Sequence, residues 1–301
     1  MNLQVLYYNQ GTQEDKAALR YIASLLGHAE GTLDLLYVTE EASAVANQKR
    51  WDLAVEQRSQ KEISSSEKAL DDAQDILTTM EMVTTAEDSE GDPVKKVKAA
   101  LKRKHYDLLV LAAFGRGGFS KDVIGAHAKP LVQQFGVPVL LHKGKLESCE
   151  RVLIHVPADK DLCTQFMHYM TRLLGDSPPA LTLLSIIKPG HQHFEGYTSA
   201  EDQRLTKALA DYDRDELDYL ETAECVLESE GFQAEIRHRN GDMTEELLNE
   251  AKEGRYDLMA FAPEEHGTLM NMWYGDESFE IMRDVEISVL KFPASFEGDS
   301  S

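Results

Sequence analysis

LLVLAAFGRGGFSKDVIGAHAKPLVQQFGVPVLL, running from Leu108 to Leu141, is the stretch whose reading decides the fold. Leu108–Ala113 is an apolar run of strand length bounded by glycine, the pattern of a strand buried on both faces. A loop with Gly115, Gly117 and Gly118 follows. Gly125, ten positions past Gly115, marks where a helix begins, and Gly136 marks its end. Val137–Leu141 is a second buried strand, with Pro138 pointing to an edge position. Strand, glycine loop, helix and strand make half of a nucleotide-binding architecture. The N–H groups of such a loop, and of a helix N-terminus, cradle phosphate.

Upstream, strands and helices alternate. Leu3–Asn9 is a strand. Glu14–Leu26 is a helix with Leu19, Ile22 and Leu26 on one face, closed by Gly27. Thr32–Val38 is a strand. Asn47–Met80 is mostly helix, with Ala69, Leu70, Ala73, Ile76 and Leu77 at helical spacing. Met82–Ala86 is a short strand, and Pro93 opens the next helix.

Residues 144–150 read as a linker, after which the pattern restarts. Val5-Leu6 recurs as Val152-Leu153, Leu25-Leu26-Gly27 as Leu173-Leu174-Gly175, and Leu35-Leu36 as Leu183-Leu184. Gly91-Asp92, Tyr106-Asp107-Leu108 and Gly125 recur as Gly241-Asp242, Tyr256-Asp257-Leu258 and Gly275, all displaced by 150 positions. Matches at one shared offset indicate a duplicated domain. The division expected is 1–143 for the first domain, 144–150 for the linker, 151–294 for the second domain and 295–301 for a disordered tail. Each half then alternates as five strands with intervening helices. That gives an α/β fold with two doubly wound parallel sheets. A ligand would sit where the strand order reverses, at the carboxyl ends of the first and fourth strands.

The totals bound the function. The 301 residues are enough for about two domains of roughly 150 residues each. The formal charge of −22 disfavours nucleic acid and anionic membranes, whose binding depends on lysine and arginine neutralising phosphate. Cys149, Cys163 and Cys225 lie far apart without metal-ligand spacing, which points to reduced thiols in a cytoplasmic protein. No apolar run approaches the ~20 residues of a membrane helix.

With these residues in view, the chain resembles the universal stress protein family in its tandem two-domain form, over nearly its whole length. Ala112–Ala128 carries the resemblance most specifically. ATP-binding members show glycine, two residues, glycine, nine residues, glycine, then serine or threonine. Here Gly115 and Gly125 stand with nine residues between them, whereas Ala112 replaces the first glycine and Ala126 the hydroxyl residue. Gln10 stands where members often carry an aspartate, and Gly91-Asp92-Pro93 matches the family's Gly-x-Pro segment.

The resemblance implies five-stranded domains of the adenine nucleotide alpha hydrolase-like, Rossmann-like kind, packed as a pseudo-dimer through their last strands, Val137–Leu141 and Ile287–Phe292. A homodimer of the whole chain stays open. The resemblance also implies a nucleotide site in the first half at Gln10, Val38, Ala112, Gly115, Arg116, Gly117, Gly118, Gly125 and Ala126. Ala126 lacks a hydroxyl donor worth about 1.5–3 kcal/mol toward a charged group. Ala112 adds a Cβ where backbone and ligand approach.

In the second half Glu265 stands at the place of Gly115, beside Glu264. Asp276 follows Gly275, and Pro263 stiffens the loop, so no nucleotide is expected there. Met270, Met272, Trp273 and Tyr274 either plug that crevice or line it for another ligand. His191 and His193 have metal-like spacing but no third ligand nearby, so no metal site is expected. Arg116, His127, Cys163, Trp51 and Trp273 read as solvated or packing residues. Asp211–Glu224, with Leu209, Tyr212, Tyr219, Leu220, Ala223 and Leu227 interleaved, reads as an amphipathic helix. Catalytic signatures, including Gly-x-Ser-x-Gly, His-Glu-x-x-His and the Walker loop, are absent. Two readings follow: a non-enzymatic stress-response regulatory or protective protein with a degraded nucleotide site, or an ATP-binding switch that uses the first domain alone, with slow hydrolysis left open.

Overall fold

The computed structural model describes residues 3–9, 13–26, 31–39, 73, 75–76, 83–112, 130–131, 136–143, 146–175, 178–187, 219–263 and 276–294. The chain divides into two compact units, Met1–Cys149 and Glu150–Ser295. In the first unit the elements run β1 (Leu3–Asn9), α1 (Gln13–Leu26), β2 (Gly31–Thr39), β3 (Val83–Glu90), α2 (Pro93–Arg103), β4 (Leu108–Ala112) and β5 (Val139–His142). In the second they run β6 (Arg151–His155), α3 (Lys160–Leu174), β7 (Ala180–Ile187), β8 (Ala234–Asn240), α4 (Met243–Glu253), β9 (Leu258–Phe261), α5 (Asp276–Asp284) and β10 (Ser288–Lys291).

The strands of the first unit lie in the order β3-β2-β1-β4-β5, and those of the second in the order β8-β7-β6-β9-β10. The ladders are parallel. Both faces of the central strands are covered, so their residues are buried without alternation: all of β4, and all of β1 but one residue. α1 adds Ala18, Leu19, Ile22, Leu25 and Leu26 to the core, and α3 adds Leu162, Phe166, Met167, Met170, Leu173 and Leu174.

Two of the recurring sequence pairs have a structural cause. Asp92 and Asp242 cap α2 and α4, accepting hydrogen bonds from the N–H of Lys95 at 3.0 Å and of Glu245 at 3.1 Å. Gly91 precedes the first of these caps at φ +132°, a conformation that side chains resist. The Tyr-Asp-Leu repeat ties the fourth strand of each unit to the first. The Asp107 N–H donates to the Gln4 carbonyl at 2.8 Å, and the Gln4 N–H donates back to Asp107 Oδ2 at 2.8 Å. In the second unit the Asp257 N–H donates to the Arg151 carbonyl at 2.9 Å. Asp257 Oδ2 then accepts from the N–H groups of Arg151 at 2.9 Å and Glu150 at 2.8 Å. Tyr106 donates its hydroxyl to Asp34 at 2.7 Å, and Tyr256 donates to Glu250 at 2.8 Å.

Some boundaries differ from the sequence reading. The third strand runs to Glu90 rather than ending at Ala86. Three of its four added residues are acidic, which suits the outermost strand of the unit, where Thr85, Ala86 and Glu87 are exposed. The last strands are Val139–His142 and Ser288–Lys291. Of the long helix expected over 47–80, the described residues 73, 75 and 76 are helical, and Ala73 is fully buried. Residues 130–131 are helical in the segment expected to follow Gly125. Residues 219–229 are helical, with Tyr219, Leu220, Ala223 and Leu227 buried as the periodicity requires. Leu209, Tyr212, Trp51 and the tail 295–301 lie outside the described residues.

At the end of β5, His142 is fully buried and its ring lies 4.6 Å from that of Tyr21 on α1. The matching contact in the second unit joins Tyr169 and Phe292 at 5.1 Å.

Burial pushes the His142 imidazole down to about 4. The folded chain therefore keeps it neutral, while the unfolded chain protonates it near its ordinary 6.5. Its contribution is intact above that value and is lost as pH falls toward 4, by about 1.4 kcal/mol per pH unit. His142→Phe should flatten this decline. Urea midpoints of both proteins at pH 7 and pH 4.5 measure it, and equal declines would refute it. Asp257→Ala should cost about 1–3 kcal/mol by stranding backbone donors, and Asp257→Asn less, both read from urea unfolding.

Candidate functional site

β2 lies on one side of β1 and β4 on the other, so the strand order reverses at β1. Parallel sheets open a crevice at the carboxyl ends of the strands flanking such a reversal. In the first unit those ends are Asn9 on β1 and Ala112 on β4, both buried. Val38, the penultimate residue of β2, is also buried. Of the nine residues assigned to a nucleotide site, Val38 and Ala112 are placed, and both stand at this end of the sheet. Gln10, Gly115, Arg116, Gly117, Gly118, Gly125 and Ala126 lie outside the described residues.

Beneath the crevice is a buried polar group that periodicity alone did not single out. Tyr7 and Asn9 point to one face of β1, together with their register partners Leu35 and Tyr37 on β2. Asp15, in the first turn of α1, is 3% exposed, and its Oδ1 accepts the Tyr7 hydroxyl at 2.6 Å. Tyr7 is fully buried, and that burial, followed by the Asp15 carboxylate, pushes its hydroxyl well above the ordinary tyrosine value. Asn9, Asp15 and Tyr37 each have further partners. The available sequence signal was phase: Asp15 lies on the same helical stripe as Ala18, Leu19 and Ile22, where a carboxylate is out of place.

The second unit packs the same junction differently. Ile154 neighbours Leu183 and Ala260 in register as Tyr7 neighbours Leu35 and Val110. Counted back from the shared Leu-Leu-Gly, Cys163 on α3 takes the place of Asp15. Val156 takes the place of Asn9 and continues the ladder, its N–H donating to the Leu184 carbonyl at 3.1 Å. Cys163 is fully buried, with Sγ 3.5 Å from the Tyr219 carbonyl. Burial, then Asp159, pushes its thiol up to about 12, the signature of an inert packing residue. The Tyr219 hydroxyl lies 2.9 Å from Ser185 Oγ, a buried neutral pair.

Asp159 caps α3, accepting from the Leu162 N–H at 2.8 Å, so a carboxylate already occupies the helix end nearest this crevice. Pro263, just past β9, is buried. Asp276 is the first residue of α5. Glu264, Glu265, His127, His191, His193, Met270, Met272, Trp273, Tyr274 and Gly275 lie outside the described residues. Among the described residues no group of histidine, cysteine or carboxylate side chains could hold a metal ion, and no helix is long and apolar enough to cross a membrane.

Comparison with known proteins agrees with this geometry. Residues 1–143 match the model of the universal stress protein family. A universal stress protein of Synechocystis sp. is 21% identical over 190 residues, covering 62% of this chain and 58% of the relative's own length. The structure of a universal stress protein from Archaeoglobus fulgidus superposes with a TM-score of 0.64 at 15% identity, covering all of this chain and 98% of that one. A putative universal stress protein from Pseudomonas aeruginosa gives 0.63 at 13% identity, covering 97% and 93%. These two likenesses speak for the fold: an α/β architecture with a mostly parallel sheet flanked by helices. Residues 1–143 thus match the universal stress protein family, and for the rest of the chain the likeness is one of fold.

Proposed function

We propose that this chain is a non-enzymatic stress-response regulator built from two universal stress protein units, in which ATP occupies the first unit alone and the second, at 151–294, is a degenerate copy. The observation that carries the reading is the difference between the two crevices. The first stands over a buried polar floor of Tyr7, Asn9, Asp15 and Tyr37. The second stands over Ile154, Val156 and Cys163, with Asp159 already at the helix end. Supporting it, Gly115 and Gly125 keep the spacing of a phosphate loop, whereas the second half has Glu265 and Gly275. Gly115, Arg116, Gly117, Gly118, Gly125 and the N–H of Ala126 would hold the phosphates, with Gln10 and Val38 near the base and Ala112 where backbone and ligand approach closely. The proposal extends to pairing between β5 and β10, each the last strand in its own unit's order.

The competing reading is a scaffold whose nucleotide site is lost in both units, as the replacements at Ala112 and Ala126 would suggest. The two separate in thermal unfolding with millimolar magnesium ATP. The ATP reading expects a rise in Tm that Gly115→Glu abolishes. Ala126→Ser should tighten binding by about tenfold or more, by restoring a donor to phosphate. An unchanged Tm, together with no heat of binding in calorimetry, selects the scaffold.

A further inference from the structure

We propose that the buried hydrogen bond between Tyr7 and Asp15 is the positioning element of the first unit's crevice, setting its affinity for ligand without touching the ligand. This rests on the ATP reading above.

Tyr7 lies inside β1, and Asp15 is the third residue of α1. The bond between them, 2.6 Å long, closes the chain across eight residues. Between them in sequence lies Asn9, which ends β1 at the crevice. A carboxylate that is 3% exposed is costly to bury, and it is tolerated only when hydrogen-bonded.

The fold itself does not demand the pair. At the matching strand–helix junction the second unit places Ile154 and Cys163, both fully buried, within the same strand order. It fixes the first turn of its helix by another route, the Asp159 cap. The first unit thus carries a buried charged hydrogen bond where two buried neutral side chains stand in the second. What the bond adds is a fixed relation between the end of β1 and the start of α1. A strand end and a helix start held in one arrangement lose less freedom on binding, and that saving appears as affinity.

The test uses the full chain and magnesium ATP. Tyr7→Phe keeps the ring and removes the donor. Tyr7→Ile with Asp15→Cys installs the second unit's pair. Asp15→Asn keeps an acceptor for the hydroxyl. Calorimetry reads affinity, thermal unfolding reads stability, and hydrogen exchange reads the first-turn amides of α1.

Tyr7→Phe should weaken ATP about tenfold and speed exchange in that turn while the protein unfolds cooperatively. The double variant should fold and lose at least as much affinity. Asp15→Asn should stay within about threefold of the parent, a rescue that a purely structural role would not give. Should the double variant not fold, Tyr7→Phe carries the test alone.

Wild-type affinity and unchanged exchange in Tyr7→Phe would overturn the positioning role and leave the ATP reading intact. Equal losses in Asp15→Asn and Tyr7→Phe would also overturn it. Failure of the parent protein to bind ATP would remove the reading and this proposal together.

Discussion

The reciprocal hydrogen bonds between the first and fourth strands are the constraint on which both units depend. Asp107 and Asp257 each use their backbone N–H and a side-chain oxygen to grip the start of the first strand. This fixes Tyr7 beside Val110 and Ile154 beside Ala260. A slip of one residue would turn every side chain of these strands to the other face. With β2 already on the far side of β1, the grip also makes the strand order reverse there. The crevice is a consequence of that reversal rather than of any residue in its wall.

This explains which parts of the fold were legible in the sequence. Two of the repeats displaced by 150 positions satisfy backbone groups at fixed points: the Gly-Asp caps of α2 and α4 and the Tyr-Asp-Leu grip. Such residues leave few alternatives, so they recur unchanged. Continuous apolar runs announced β1, β4, β6 and β9 because strands covered on both faces admit little else. The full length of β3 was hidden, because an outer strand needs no apolar face and its last residues are Glu87, Asp88, Ser89 and Glu90. Asp15 was hidden for a different reason. Its partner Tyr7 reads as one more aromatic in an apolar strand, and nothing in either residue alone announces the other.

Partners that are interchangeable left no trace either. In the first unit the repeated tyrosine, Tyr106, meets Asp34 on β2, and Lys104 and Thr85 donate to the same carboxylate. Burial alone would push the Asp34 carboxyl up, but these donors hold it below its ordinary range. In the second unit Thr182 takes the strand position. The carboxylate is Glu250 on α4, bound by Tyr256, Arg237 and Arg239. Burial raises it too, and its partners again hold it low. The surface pair is exchanged as well: Glu87 on the strand with Arg103 on the helix, against Arg239 on the strand with Glu253 on the helix. A buried hydroxyl requires an acceptor but does not dictate which element supplies it.

That rule sharpens the contrast at the other end of the sheet. Where a need is structural, a carboxylate lost from one element returns on another, as Asp34 gives way to Glu250. Tyr7 and Asp15 do not follow this pattern. Their places pass to Ile154 and Cys163, and the nearby hydroxyl pair, Ser185 with Tyr219, is neutral and draws on the 219–229 helical segment rather than on α3. Removing a donor together with its acceptor leaves neither of the two unmet, and it costs a fold little. Keeping them costs a buried charge. The first unit keeps them directly beneath the carboxyl ends of β1 and β2, where a parallel sheet presents its ligand, and there the expense has a use other than stability.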